Sequence, residues 1–311
     1  MNTLNRRLYK HNFDLRKMIE LIKMVRPTQN LDYPGIVDLQ EMLSIPAIQK
    51  NTRLWETPDA ELAGFTIIDL WDNIWFEFKP GVISGEIEKE ILNWGETCVR
   101  LNHTIKKNKG LNLKLDTNCR EDNYERIDFL ERNGFFRQAI QTIKMARSLH
   151  EPIQKPELPS GFLIRHVAGE SEIERWVALH QAAFESNEMT VEYRLSMMRV
   201  PGYDPQLDLI VVNSNGQFVA FCFSRVSLEM QEITGRREGS TDMLGTHPAY
   251  RKKGVAKALL LTSLRLLKGR GVTYTSLGTT SENIAMQKTA KSVGFHIETV
   301  KPWFSKPIMA V

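Results

Sequence analysis

One stretch of this sequence holds residue types at a spacing that could do chemistry. It runs Thr241-Asp242-Met243-Leu244-Gly245-Thr246-His247-Pro248-Ala249-Tyr250-Arg251-Lys252-Lys253-Gly254-Val255-Ala256. The pattern predicts a strand ending near Thr246, a short basic loop, and a helix beginning near Gly254. Apolar residues at Val255, Leu259, Leu260 and Leu264 then recur at helical spacing, so that face is expected to pack on a sheet. A helix start presents free N–H groups and the positive end of the helix dipole. Arg251, Lys252 and Lys253 add three cations there, and Gly254, with no Cβ, lets a bulky anion approach the backbone. The predicted guest is a pyrophosphate. A solvated charged loop with a capped helix is the plainer reading of the same residues.

The elements that must position this loop form a repeat. Leu8-Tyr9-Lys10-His11 opens one segment and Leu163-Ile164-Arg165-His166 another, each followed by an amphipathic pattern: Leu15, Met18, Ile19 and Ile22, then Ile173, Trp176, Val177 and Leu179. Strand-like runs Leu62–Ile68 and Phe218–Phe223 correspond. Glu121-Asp122-Asn123 precedes Gly134-Phe135 as Ser281-Glu282-Asn283 precedes Gly294-Phe295, with Asn where a helix should start and Gly where it should stop. Between the copies, the proline-rich run from Glu151 to Gly161 reads as a linker. Two domains are therefore expected, 1–152 and 160–311, each an α/β unit with a central mixed sheet covered by helices.

In this context the loop resembles the R/Q-x-x-G-x-G/A signature of the GNAT acetyltransferase superfamily. Thr246-His247-Pro248-Ala249-Tyr250-Arg251 is similar to the family's V-x-P-x-Y-R, and Asn283, Ala285, Met286 and Gly294-Phe295 to its N…A…GF helix. The resemblance covers residues 160–311 and extends, degenerately, to 1–150. It implies tandem GNAT-like domains (α/β, of the α+β type), each with a mixed, mostly antiparallel sheet, and an N-acetyltransferase that uses acetyl-CoA and no metal. Arg251, Lys252, Lys253, Gly254, Val255 and Ala256 would hold the pyrophosphate. The backbone at Leu244, Gly245 and Thr246 would pair with the pantetheine arm, and Asn283 would contact that arm or simply cap its helix.

Acetyl transfer needs a neutral amine, so a carboxylate must take a proton from the acceptor's ammonium. Asp242 is the first choice, with Glu238 and Glu232 nearby; period-two alternation is expected to put Asp242 and Thr246 on one face. A salt-bridged strand acid is the alternative for Asp242, and a solvated loop acid for Glu238. Many family members carry a tyrosine where this chain has Ala290, so Tyr274 is the nearest candidate to protonate the leaving thiolate. Aligning Pro80 with Pro248 sets Ile83-Ser84-Gly85-Glu86-Ile87-Glu88 opposite Arg251–Ala256, with Glu86 in place of the loop glycine. The first domain is expected not to bind the cofactor.

Composition bounds the rest. With 42% hydrophobic and 25% charged residues the 311-residue chain is ordinary globular protein, long enough for two cores. A net charge of +4 without a dense basic run argues against nucleic acid. No apolar run approaches a bilayer span, no signal peptide is evident, and three scattered cysteines suit a cytoplasmic protein. The expected acceptor is a small-molecule amine. The alternatives are a non-catalytic acetyl-CoA-binding module and a protein acetyltransferase.

Overall fold

The computed structural model describes residues 4–26, 33–105, 113–227, 231 and 235–309. It divides into two compact units, Met1–Ala139 with Lys301–Val311, and Ile140–Val300. The expected segments 1–152 and 160–311 leave residues 140–152 and 301–311 on the other side of that division.

In the first unit, β1 (Asn5–Leu8), β2 (Thr52–Glu56), β3 (Leu62–Ile68) and β4 (Ile74–Phe78) form an antiparallel sheet in chain order. Every residue of β3 is buried, as its largely apolar run suggests. Helices α1 (Asn12–Val25), α2 (Ile36–Met42) and α3 (Pro46–Lys50) precede β2, and α4 (Gly85–Ile105) follows β4. Then come β5 (Lys114–Asn118) and α5 (Tyr124–Arg132). Trp55, Phe76, Phe78, Ile91, Phe129 and Phe304 share one core.

The second unit repeats the plan: β7 (Phe162–His166), α6 (Ile173–Phe184), α7 (Val191–Arg199), β8 (Asp208–Asn213), β9 (Phe218–Ser227), β10 (Glu238–Thr246), α8 (Val255–Gly269), β11 (Tyr274–Thr280) and α9 (Ile284–Ser292). β7 to β10 are antiparallel neighbours, and β11 joins β10 in parallel. This is the expected mixed, mostly antiparallel sheet flanked by helices. The expected apolar stripe of α8, at Val255, Leu259, Leu260 and Leu264, is buried. The repeated caps are real: Asn123 accepts from Arg126 N–H at 3.1 Å and Asn283 from Met286 N–H at 3.0 Å. Gly134 and Gly294 take φ of +82° and +93°, left-handed values that stop each helix.

The closing strands are exchanged between halves. β6 (Phe136–Ser148), from the end of the first half, pairs through Thr142–Ser148 with β11 in the second unit. β12 (His296–Pro307), from the end of the second half, pairs through Trp303–Pro307 with β5 in the first. Residues 151–159 between β6 and β7 form neither helix nor strand, as a linker should.

Candidate active site

β10 and β11 pair over four residues only, from Glu238–Tyr274 to Thr241–Leu277. At that point β10 carries a bulge: Thr241 opposes Ser224 and Met243 opposes Phe223, leaving Asp242 as the extra residue. Beyond it, Met243–Thr246 stays registered with β9 but has no register with β11. Among the described residues, the edge of Leu244, Gly245 and Thr246 away from β9 therefore has no strand partner. Gly245 is required by packing: a Cβ there would lie 2.4 Å from the Phe221 ring and 3.1 Å from Ala183.

The loop after β10 is built for a bare helix start. His247 accepts from Ala249 N–H at 3.3 Å and caps the short turn Pro248–Tyr250, a structural role. Tyr250 is fixed through its hydroxyl to Gln217 and Asn213, both at 2.9 Å. Lys252 (φ +61°) and Gly254 (φ +78°) are both left-handed, so the loop turns sharply into the start of α8. Gly254 makes no side-chain cap, and the first bond of α8 runs from Ala258 N–H to the Gly254 carbonyl at 3.1 Å. A Cβ at Gly254 would project into open space.

The three cations differ. Arg251 reaches back to α6, donating to the Ala183 carbonyl at 2.8 Å and lying 3.5 Å from Glu185. Lys253 stands 5.1 Å over the Tyr250 ring. Lys252 and Lys253 make no ion pair among the described residues. Val255 is buried beneath the helix start, where its side chain packs and only its N–H can face a ligand.

The acid–base candidates separate. Asp242 pairs with Arg225 of β9, the two side chains being 24% and 13% exposed. Thr246 registers with Ala220, on the α8 side, whereas Arg225 follows Ser224, which bonds to Ser263 of α8, and so points the other way. Asp242 and Thr246 thus lie on opposite faces; the bulge inserts a residue between them and cancels the expected alternation. Glu238 is buried and held by Arg236 at 2.7 Å, not the solvated loop acid of the alternative reading. Glu232 lies outside the described residues.

Tyr274 registers with Glu238, three residues before the strands part. Its hydroxyl donates to Glu298 at 2.6 Å, and Glu298 also binds Lys144 at 2.7 Å. Burial, then the Glu298 hydrogen bond, push the Tyr274 phenol above its ordinary value. For Glu298, burial alone would raise the carboxyl, but Lys144 and Tyr274 together bring it below the usual range. A phenol so committed is a poor proton donor to a thiolate. Ala290 is fully buried in the core against α8, so that position serves packing.

Pattern reading missed Arg225, Glu298 and a buried cluster under α6 and α7. In the cluster Arg194 pairs with Asp208, Tyr203 donates to Asp208 at 2.7 Å, and the Arg194 guanidinium lies 4.1 Å from the Trp176 ring. Burial, then Arg194, lower His180 to about 4. Arg225 ends the run that begins with the apolar Phe218-Val219-Ala220-Phe221-Cys222-Phe223, and a charge at that place was the available signal.

The corresponding place in the first unit is a cleft of about 690 Å³ lined by β4, the loop after it and α5. α4 begins at Gly85, five residues after Pro80, whereas α8 begins at Val255, seven after Pro248. The loop is two residues shorter, so Ser84, and not Glu86, stands at the position of Gly254. The Ser84 hydroxyl lies 3.5 Å from Ile87 N–H, and Glu86 and Glu88 occupy the first turn. Arg126 fills the strand edge, donating to the Phe76 carbonyl at 2.7 Å with its guanidinium 3.7 Å over the Phe76 ring.

Residues 173–295 match the model of the acetyltransferase (GNAT) family. Curated relatives of the GNAT region include the mycothiol acetyltransferase of Thermobispora bispora, 29% identical over 161 residues, covering 50% of this chain and 54% of that protein. That of Segniliparus rotundus is 26% identical over 174 residues, covering 54% and 64%. The match thus spans little more than half the length of these relatives. Among solved structures, a GCN5-related N-acetyltransferase from Sphaerobacter thermophilus superimposes with a TM-score of 0.69 at 18% identity, over 99% of this chain and 96% of that one. A tandem GNAT protein from the clavulanic acid biosynthesis pathway gives 0.67 at 14% identity, over 99% and 100%. At such identities the likeness is one of fold, and it extends through both halves of this chain. No helix among the described residues is long and apolar enough to cross a membrane.

Proposed function

We propose that the second unit transfers an acetyl group from acetyl-CoA to the amine of a small acceptor. One observation carries the reading: the unpaired edge of β10 and the bare, cation-ringed start of α8 belong to the same strand–loop–helix segment. An elongated ligand with an amide-bearing arm and a pyrophosphate needs both. Leu244, Gly245 and Thr246 would take the arm. The turn from Lys252 to Ala256 would take the pyrophosphate, with Lys253 beside it and Arg251 tying the loop to α6. Asn283 already caps α9 through its side-chain oxygen, which leaves its amide nitrogen to meet the ligand.

Acetyl-CoA supplies an activated acyl carbon. The acceptor nitrogen bonds to that carbon as the carbon–sulfur bond breaks, and the ammonium proton passes through Asp242 toward the departing thiolate. Asp242 suits the task by position, since the bulge sets it where β10 leaves β11. Glu238 and Tyr274 hold the base of the strands, and with Tyr274 committed to Glu298 the thiolate takes its proton from solvent or from Asp242. Relatives named for mycothiol, rather than for a protein, support a small acceptor. A cytoplasmic location goes with this reading, and all three cysteines are buried.

The test is calorimetric titration with acetyl-CoA, followed by CoA release in the presence of amines. Binding and amine-dependent release are expected. Binding without release for any amine would favour a non-catalytic module, and no binding at millimolar acetyl-CoA would overturn the reading.

A further inference from the structure

Resting on that reading, the fork of β10 and β11 holds one more group with a task. Thr241 is the last residue of β10 in register with β11, opposite Leu277, and it also opposes Ser224 of β9. The Ser224 hydroxyl donates to Thr241 Oγ1 at 3.1 Å and lies 2.7 Å from the Ser263 hydroxyl of α8. A serine hydroxyl carries one proton, and that of Ser224 is engaged by Thr241. Ser263, and the Cys222 thiol at 3.8 Å, can therefore only donate to Ser224. The chain of hydroxyls runs one way, from Ser263 through Ser224 to Thr241. Its last proton, on Thr241, has no acceptor among the described residues. Yet Thr241 is only 3% exposed, and Ser224 and Ser263 are fully buried. A donor so enclosed and left over calls for an acceptor that arrives from outside.

What arrives follows from the two ends of the site. With the pyrophosphate at the start of α8 and the arm along Leu244–Thr246, the thioester comes to rest farther back along β10. The span from Thr246 to Thr241 is about 16 Å at a strand's rise. A pantetheine arm, two amides joined by short carbon chains, extends about as far. The two polar side chains at that place lie on opposite faces: Asp242 on the side of Arg225, and Thr241 on the side of α8. An amine that enters from the Asp242 face directs the breaking carbon–sulfur bond away from it. We propose that Thr241 is a catalytic residue, its hydroxyl donating a hydrogen bond to the departing CoA thiolate, with Ser224 and Ser263 as the positioning residues. The nitrogen of the neutral amine bonds to the acetyl carbon, and the carbon–sulfur bond breaks with its electron pair on sulfur. The proton that the nitrogen loses passes through Asp242 and solvent to that sulfur. An aliphatic hydroxyl is a far weaker acid than a thiol, so Thr241 keeps its own proton. It lends only the hydrogen bond, which strengthens as charge develops on the sulfur. Thr241 thus serves where Tyr274, committed to Glu298, and the apolar Ala290 do not.

The experiment needs no amine. The full chain is saturated with CoA, and the thiol of the bound CoA is titrated through the ultraviolet absorbance of its thiolate. Acetyl-CoA affinity is measured in parallel by calorimetry. T241V keeps the shape and removes the hydroxyl, whereas T241S keeps the hydroxyl. The bound thiol is expected to titrate about one pH unit or more lower in the unchanged chain and in T241S than in T241V. Acetyl-CoA affinity should agree within about threefold in all three, because the thioester sulfur carries no charge before it leaves. With an amine that turns over, T241V should lower kcat about 10- to 100-fold and leave the KM for acetyl-CoA nearly unchanged. A bound thiol that titrates alike in the unchanged chain and in T241V would overturn the proposal, while acetyl-CoA binding would leave the underlying reading standing. Failure of the unchanged chain to bind would remove both. If T241V does not fold because Ser224 loses its acceptor, S224A/T241V removes both ends of that bond. Ser263 can then turn to the carbonyl four residues back on α8, and the same titration decides.

Discussion

The two helix starts that follow corresponding strands share one plan and end with opposite charges beside them. In the second unit the helix after the splayed strand opens on Gly254, without a side-chain cap and beside exposed Lys252 and Lys253. In the first, the equivalent helix opens on Ser84, with Glu86 and Glu88 in its first turn. Glu88 is bound by Arg132 and by Asn133 at 3.0 Å. The strand edges diverge in the same sense: Arg126 takes the Phe76 carbonyl of β4, while β10 at Leu244 has no register with β11 among the described residues. A helix start can satisfy its N–H groups and dipole from its own chain or leave them for a ligand. The first unit does the former, and an anion arriving there would meet carboxylates already in place.

The sharpest way to break this contrast is G254E. The side chain would enter left-handed backbone and carry negative charge to the start of α8, so acetyl-CoA affinity should drop about 100-fold or more by calorimetry. Retained affinity would move the ligand elsewhere. Next comes G245V, whose side chain must displace the Phe221 ring and the end of α6. It should cost about 1–3 kcal/mol, seen as a lower denaturant midpoint at unchanged slope.

A third test uses pH. His180 is lowered from 6.5 to about 4, so between those values the unfolded chain binds the proton and the folded chain does not. Its contribution is complete above pH 6.5 and is lost as pH falls toward 4. H180F should flatten the decline of thermal stability across that window. The smallest effects belong to the first unit. S84G should shift stability by roughly a few tenths of a kcal/mol and leave the acetyl-CoA stoichiometry at one per chain. R126M should likewise add no second site; a stoichiometry of two in either variant, or in the unchanged chain, would erase the contrast between the two helix starts.

Local chemistry was legible in the sequence, and pairing was not. Asn123 and Asn283 at helix starts, Gly134 and Gly294 at helix ends, and the apolar stripe of α8 act within a few residues of themselves, so spacing alone locates them. The basic loop and its glycine were visible for the same reason. A bulge depends on the neighbouring strand, so nothing in Thr241-Asp242-Met243 announces that Asp242 and Thr246 part faces. The shorter loop of the first unit hid behind a matching proline, because Pro80 and Pro248 align while the helix starts do not. Alternation marks β6 and β12 as strands, but it is silent on which partner completes each.

The exchanged closing strands have a consequence for how the protein is made. The strand beside β5 comes from residues 303–307, so during synthesis the first unit waits, with that edge open, until those residues have left the ribosome. The second unit, by contrast, receives β6 before any of its other strands exists. The half that emerges first is therefore the one that closes last, and its exposed edge is where a stalled or shortened chain would aggregate.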